Sequence, residues 1–184
     1  MKEEIHMKVL VLTGSPRQKG NSNELAAAFC RGAEEAGHEV LRFDAARMDL
    51  HPCIACEVCR RSGSCFRQDD MQQLYPHLVE ADAIVLATPL YYFGMSAQLK
   101  MLIDRFYGVN EAMRNHPKQA FLLASCGDAE PEILDALLAH YRAICHYCHW
   151  QDKGQALAIG VYGLGDIAGM PCLEQAYELG HSLK

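Results

Sequence analysis

Cys53, Cys56, Cys59 and Cys65 are spaced C-x2-C-x2-C-x5-C. Three thiolates at intervals of three residues can converge on one face of a metal centre, and a fourth can return after a turn containing Gly63. Bacterial ferredoxins use a related run, although there the fourth cysteine serves another cluster. Clustered cysteines in a reducing compartment point to metal or redox chemistry rather than to staples. The chain has nine cysteines, an odd number that cannot close into a complete disulfide framework. Zinc, a labile disulfide and four free thiols remain alternative fates for the cluster of four. Cys30, Cys126, Cys145, Cys148 and Cys172 are scattered and read mostly as small core hydrophobes.

A second kind of chemistry is written in Gly14-Ser-Pro-Arg-Gln-Lys-Gly-Asn-Ser-Asn23, which runs directly into a helical stretch. No Gly-Lys-Ser/Thr opens that helix, so the segment is not a Walker loop. Pro16 occupies the place of the second glycine of a dinucleotide fingerprint, which excludes that reading too. Hydroxyls of Ser15 and Ser22, amides of Asn21 and Asn23, the Arg17 guanidinium and free N–H groups at a helix start suit a phosphate dianion. The plainer reading is a polar turn with Ser22 or Asn21 as an ordinary N-cap. Further on, Thr88-Pro-Leu-Tyr-Tyr-Phe-Gly-Met-Ser96 offers flat side chains and backbone to a planar ring. Pro89 removes one N–H and Gly94 permits close backbone approach. Three consecutive aromatics cannot all face the core from so short a loop, so at least one is exposed, and Phe93 alone could plug the core.

Three other patterns carry less. Cys145, His146, Cys148 and His149 span more than one face of a helix, which argues against a metal there. Gly163-Leu-Gly-Asp-Ile-Ala168 matches G-x-G-x-x-A, but too little chain follows for a strand bearing a ribose-binding acid. Asp69 with Gln72 reads as a capping-box variant, and Pro76 kinks or restarts the helix it opens.

The elements that must position these residues alternate along the chain. Val9–Thr13, Ala83–Thr88, Ala120–Ser125 and Ala156–Tyr162 are continuous apolar runs, as in parallel strands covered on both faces. Glu39–Phe43 alternates polar with apolar residues, as an edge strand would. Helices are expected over Ser22–Ala36, Asp69–Glu80, Ser96–Tyr107, Pro131–Cys148 and Pro171–Leu183, with Gly37 as a left-handed cap after the first. Leu99, Leu102, Ile103 and Phe106 mark the core-facing stripe of the third. Five strands and five helices in alternation imply a doubly wound α/β sheet, and the polar second strand favours the flavodoxin-like order 2-1-3-4-5. Its ligand crevice opens where strands one and three diverge, beside both unusual loops. The 184 residues suit a single domain, residues 1–184, with a cysteine-rich insertion at about 51–68. Seventeen Lys and Arg against 23 Asp and Glu leave a net charge of −6, which argues against a sequence-independent nucleic-acid binder. Neither a membrane span nor a secretory signal is legible, so a cytoplasmic location is expected.

Gly14-Ser-Pro-Arg17 with Gly20-Asn-Ser22, Pro89-Leu-Tyr-Tyr-Phe-Gly-Met-Ser-Ala-Gln-Leu-Lys100 and Asp104-Arg105 resemble the NAD(P)H-dependent FMN reductases of the flavodoxin superfamily. The resemblance covers nearly the whole chain. It implies that Ser15, Arg17, Asn21, Ser22 and Asn23 bind the FMN phosphate. It further places Pro89, Leu90, Tyr91, Tyr92, Phe93 and Gly94 along the flavin ring, and Ser125, Cys126 and Gly127 at its far edge. No side chain is assigned a catalytic role, because flavin N5 would take hydride from NAD(P)H. The cysteine spacing, and the helix ending Ile144-Cys-His-Tyr-Cys-His-Trp150, are similar to the iron–sulfur flavoproteins, with Pro52 standing where those relatives commonly have Gly. That likeness implies a [4Fe–4S] cluster on Cys53, Cys56, Cys59 and Cys65. The implied partners are NAD(P)H, a small-molecule or protein electron acceptor, and further copies of the chain in a homodimer or homotetramer. A ferredoxin-linked electron carrier without nicotinamide activity, and a flavin-free module with structural zinc, are the alternatives.

Overall fold

Valine and leucine alternate along strand β1 (Lys8–Thr13), and the two sets enter different cores. Successive side chains of a strand point to opposite faces, so this run serves a sheet covered on both sides. The computed structural model describes residues 6–184. After β1 come α1 (Asn21–Glu35), β2 (Glu39–Asp44), a short α2 (Val58–Ser62) within the cysteine segment, α3 (Met71–Glu80) and β3 (Ala83–Tyr91). The chain continues through β4 (Gly94–Met95), α4 (Ala97–Asp104), a 3-10 turn at Arg105–Val109, α5 (Asn110–Arg114) and β5 (Gln119–Ser125). A 3-10 turn at Pro131–Leu134 then leads into α6 (Asp135–Cys148), β6 (Gln151–Ala158) and α7 (Pro171–His181).

The sheet order is β2-β1-β3-β5-β6, all parallel, with β4 a short antiparallel partner of β3. Counting the five parallel strands alone, this is the expected flavodoxin-like order. One core packs Leu10, Leu12 and Leu86 against Leu74 and Leu78 of α3, Leu99 and Leu102 of α4, and Tyr141 of α6. On the other face Val9, Val11, Val85 and Leu123 meet Leu25 and Phe29 of α1 and Ala176 of α7. Each fully buried side chain of this size contributes about 1.5–3 kcal/mol. Helices α1 and α7 touch through their backbones, because a Cβ on Gly32 would meet Tyr177 O and His181 N, and one on Gly180 would meet Phe29 O and Ala33 N. Among the described residues no helix is long and apolar enough to cross a membrane.

Several sequence expectations are corrected. The last strand covers Gln151–Ala158 rather than reaching Tyr162. Gly160 leaves it at φ +75°, and beyond that point the chain bonds to the loop after β5 through Gly160 N–H to Asp128 O and Val161 N–H to Cys126 O. The stretch 96–107 is α4 followed by a 3-10 turn, and of the two expectations for Pro76 the restart is excluded, because α3 runs through it. Asp69 and Gln72 do not form a capping box. Asp69 pairs with Arg105, and the Gln72 amide donates to the carbonyls of Cys65 and Arg67. Gly37, by contrast, closes α1 at φ +88° as a left-handed cap should.

Candidate functional site

The loop after β1 organises itself around one carbonyl. Arg17 O accepts hydrogen bonds from Gly20 N (2.9 Å), Asn23 Nδ2 (2.9 Å) and Ser15 Oγ (3.2 Å). This winding delivers the chain into α1 with Gly20 at the N-cap and no side chain capping the helix. A Cβ on Gly20 would lie 2.6 Å from Ser15 Oγ and 3.0 Å from Arg17 O, so a larger residue there would force the turn to shift. Ser22 Oγ and Asn21 Oδ1 are buried without a hydrogen-bond partner. Buried polar groups are normally satisfied, and orphans of this kind at an uncapped helix start are suited to a ligand that brings its own partners.

Ser96 couples this loop to the one after β3. Its N–H donates to Thr88 Oγ1 (2.9 Å) and its hydroxyl to Gly14 O (2.8 Å), while it caps α4. Between the two loops lies a cavity of about 420 Å³. Ser15, Arg17, Asn21 and Ser22 line one end, Pro89, Leu90 and Tyr91 one wall, and Ser125, Cys126 and Gly127 another. Ten of the fourteen residues expected for a flavin therefore meet in one place. The other four do not line it. Asn23 spends its amide on Arg17 O and Gln18 O. Tyr92 and Phe93 form a two-residue hairpin turn at φ +46° and +63°, followed by Gly94, and Phe93 is exposed rather than plugging the core.

Gly20, Asp128, Val161, Tyr162 and Leu164 also line the cavity and were missed from sequence. The last three belong to the loop after β6, whose G-x-G-x-x-A segment forms a wall of the cavity. Arg17 Nη1 donates to Tyr162 O (2.9 Å), Asn21 Nδ2 to Gly163 O (3.0 Å), and the Asp166 carboxylate receives the N–H groups of Tyr162 and Gly163. The position of this loop, after the last strand of the sheet, is the signal that could have found it. Burial raises the Cys126 thiol above its ordinary pKa, so it stays protonated at neutral pH.

Cys53, Cys56, Cys59 and Cys65 line a second cavity, of about 870 Å³, with Tyr75, Arg67, Arg105 and Tyr107. Among the described residues no three His, Cys, Asp or Glu side chains are already grouped as metal ligands. The donor set nevertheless suits an anionic iron–sulfur centre. All four cysteines line one space, and Tyr75 Oη, Arg105 Nε and Arg67 Nε, which belong to residues lining it, are buried without acceptors. Ala55 and Glu57 take positive φ within the loop. The root of the loop is fixed by Arg105, whose guanidinium forks onto Asp69 (2.6 and 3.0 Å) and donates to His51 O (2.7 Å). Both side chains are 2% exposed. Burial alone would raise the Asp69 carboxyl, but the Arg105 fork and the His51 and Met71 N–H groups hold it below the usual range. Cys145 and Cys148 lie in the core, where burial pushes each thiol up to about 11, and Cys30 reaches about 11 for the same reason.

The family of NADPH-dependent FMN reductases matches residues 7–174. An iron–sulfur flavoprotein of Methanocaldococcus jannaschii is 41% identical over 99 residues, which is 54% of this chain and 51% of that protein. The chain thus spans about half the length of the iron–sulfur flavoproteins it matches. A Bacillus subtilis protein named for NAD(P)H-dependent, FMN-containing oxidoreductase activity is 30% identical over 169 residues, 84% of this chain and 86% of that one. The solved NAD(P)H:quinone oxidoreductase of Methanothermobacter marburgensis superposes with a TM-score of 0.76 at 25% identity, covering 98% of this chain and 100% of its own. An azoreductase of Bacillus anthracis, at TM-score 0.72 and 16% identity over 96% of this chain and 100% of that one, shares the fold.

Proposed function

The chain belongs to the NADPH-dependent FMN reductase family, and on that premise we propose that it is an FMN-dependent oxidoreductase passing electrons from NAD(P)H to a small-molecule or protein acceptor. The observation that carries the reading is the 420 Å³ cavity with an uncapped helix start, Arg17 and the orphaned Ser22 hydroxyl at one end. FMN bound there supplies hydride and single-electron chemistry that no side chain can. The chain's own part is to hold and orient it. The first turn of α1 and Arg17 bind the phosphate, and Ser15 and Asn21 shape the turn around it. Pro89, Leu90 and Tyr91 offer a largely apolar wall to the ring, and the Ser125–Asp128 segment closes its far side. Tyr162 stands across the mouth, close enough to Gly127 that a Cβ there would lie 3.0 Å from its ring. We read residues 1–184 as one such domain with the cysteine-rich insertion at about 51–68. A homo-oligomer is the assembly this family resemblance favours.

The second cavity supports a [4Fe–4S] cluster on Cys53, Cys56, Cys59 and Cys65 as a second redox group, because the four cysteines line one space that residues with buried, unpartnered donors also line. That arrangement also keeps a ferredoxin-linked carrier as the second functional reading. Anaerobic purification tests all of this. Chromatography of the released flavin should give FMN, NADH or NADPH should bleach its absorbance, and iron and acid-labile sulfide should accompany it. Recovery of FAD or of no flavin after reconstitution sinks the first reading. Flavin without iron and sulfide leaves the plain reductase, flavin that no nicotinamide reduces leaves the carrier, and zinc without flavin leaves the structural module.

A further inference from the structure

Cys65 differs from the other three thiols of its cavity. Among the described residues it is the one of the four whose sulfur receives a hydrogen bond, from Arg105 Nη2 at 3.5 Å. Its carbonyl is held as well, by the Gln72 amide at 3.3 Å. Cys53 and Cys56 are exposed by comparison. The donor itself cannot wander. Arg105 lies on the 3-10 turn behind α4, 2% exposed, and its two terminal nitrogens are forked onto the two oxygens of Asp69. Asp69 is fixed in turn by the N–H groups of His51 (3.2 Å) and Met71 (3.3 Å). The guanidinium still has Nε buried and unpartnered, and Tyr75 Oη beside it is also without an acceptor. Tyr75 reaches this place because residue 108 is glycine, where a Cβ would stand 2.5 Å from its hydroxyl.

We infer that Arg105 is a positioning residue for the thiol cavity, setting the Cys65 sulfur as the first fixed ligand and stabilising added negative charge on the centre through an N–H···S bond. The inference rests on the reading of the four cysteines as cluster ligands. A centre held by four thiolates is anionic, and one-electron reduction adds charge without moving atoms far. A buried guanidinium in contact with one ligand favours the reduced form by direct Coulomb interaction in a low-dielectric site. Asp69 does the opposite, offsetting part of that charge while fixing its place. The two members of one ion pair should therefore move the potential in opposite directions, which a purely structural anchor would not do.

The test uses the anaerobically reconstituted full chain and its variants Arg105→Gln and Asp69→Asn, with iron and sulfide counted per FMN and both potentials read by spectroscopic titration. Wild type should load the cluster. Arg105→Gln should bind it about 10–100-fold more weakly, the usual loss for an outer partner of a ligand. What it does bind should have a more negative potential. Asp69→Asn should shift the cluster to a more positive potential, and the FMN potential should stay unchanged in both. Should Arg105→Gln fail to fold, Asp69→Asn decides alone, because an unchanged or more negative potential overturns the inference. Equal loading and equal potentials in all three proteins overturn it while leaving the cluster reading intact. Wild type that takes up neither iron nor sulfide overturns the cluster reading itself, and the inference with it.

Discussion

A single guanidinium in the proposed flavin cavity has two candidate duties. Arg17 already donates through Nη1 to Tyr162 O, and the same group retains further N–H donors for a phosphate. Arg17→Ala should weaken FMN binding by about 1.5–3 kcal/mol, the range for a hydrogen bond to a charged group. Riboflavin, which lacks the phosphate, separates the duties when titrated by fluorescence. Unchanged riboflavin affinity assigns the loss to phosphate, and an equal loss assigns it to the tether on the Tyr162 loop. Lys118 poses a question of charge instead. Its side chain is buried, with Nζ donating to Val79 O (2.9 Å) and Ala81 O (2.6 Å). Burial pushes its pKa from 10.5 down to about 8, against the charge of Asp82. Between those two values the unfolded chain holds a proton that the folded chain has released, so stability rises with pH across that window. Relative to Lys118→Met, which has no such proton, wild type should gain up to about 3 kcal/mol from pH 8 to 10.5. Urea unfolding at a series of pH values reads the difference, and a flat difference refutes the shift.

Helices α1 and α7 meet through glycines, and that contact bears on the site because α1 starts at the end of the cavity proposed for the phosphate. Alanine is the better helix former by about 1 kcal/mol. At Gly32 and Gly180, however, the new methyl would meet backbone atoms of the facing helix, which cannot swing aside as a side chain would. Gly32→Ala should therefore destabilise by a net 1–3 kcal/mol or about that, the overpacking range, and reduce FMN retention by shifting α1. A stabilised variant in urea unfolding would contradict the close packing. Elements of this kind differ in how far they were legible. The strands β1, β3 and β5, the Leu99–Phe106 stripe and the cap at Gly37 follow from local patterns. The end of β6 does not, because Ile159–Val161 is apolar for a different reason: it bonds and packs against the β5 loop. The hairpin at Tyr92-Phe93 lacks the Asn-Gly that announces such a turn. Asp69 and Gln72 have capping-box spacing, yet Asp69 is claimed by Arg105, 36 residues on, and Gln72 turns back to the carbonyls of Cys65 and Arg67. The Tyr162 wall is likewise far from Arg17 in sequence and adjacent only once the sheet has formed.

Among the described residues, most of the large exposed apolar side chains lie at or beside the two cavities. Tyr91, Tyr92, Phe93, Tyr162 and Leu164 are exposed near one, and Ile54, Phe66 and Tyr107 near the other. Exposed aromatic surface of this extent marks interfaces. Tyr92, fully exposed on its hairpin, is the residue whose replacement should tell most. Tyr92→Asp should lower the assembly state in sedimentation velocity and loosen flavin if a second copy covers the cavity mouth. An unchanged sedimentation coefficient removes the hairpin from the interface. The ion pair at the root of the cysteine loop has a consequence of another sort. To a protease, the exposed Arg60-Arg61 pair, on the short α2 of that segment, becomes a cleavage site once this turn unwinds. Because Arg105 and Asp69 grip both ends of the segment, a nick there would leave two chains that stay together as one folded body. The rate of that nick by trypsin becomes a clock for the loop alone, slow when its cavity is filled and fast when it is empty, with the rest of the fold keeping still.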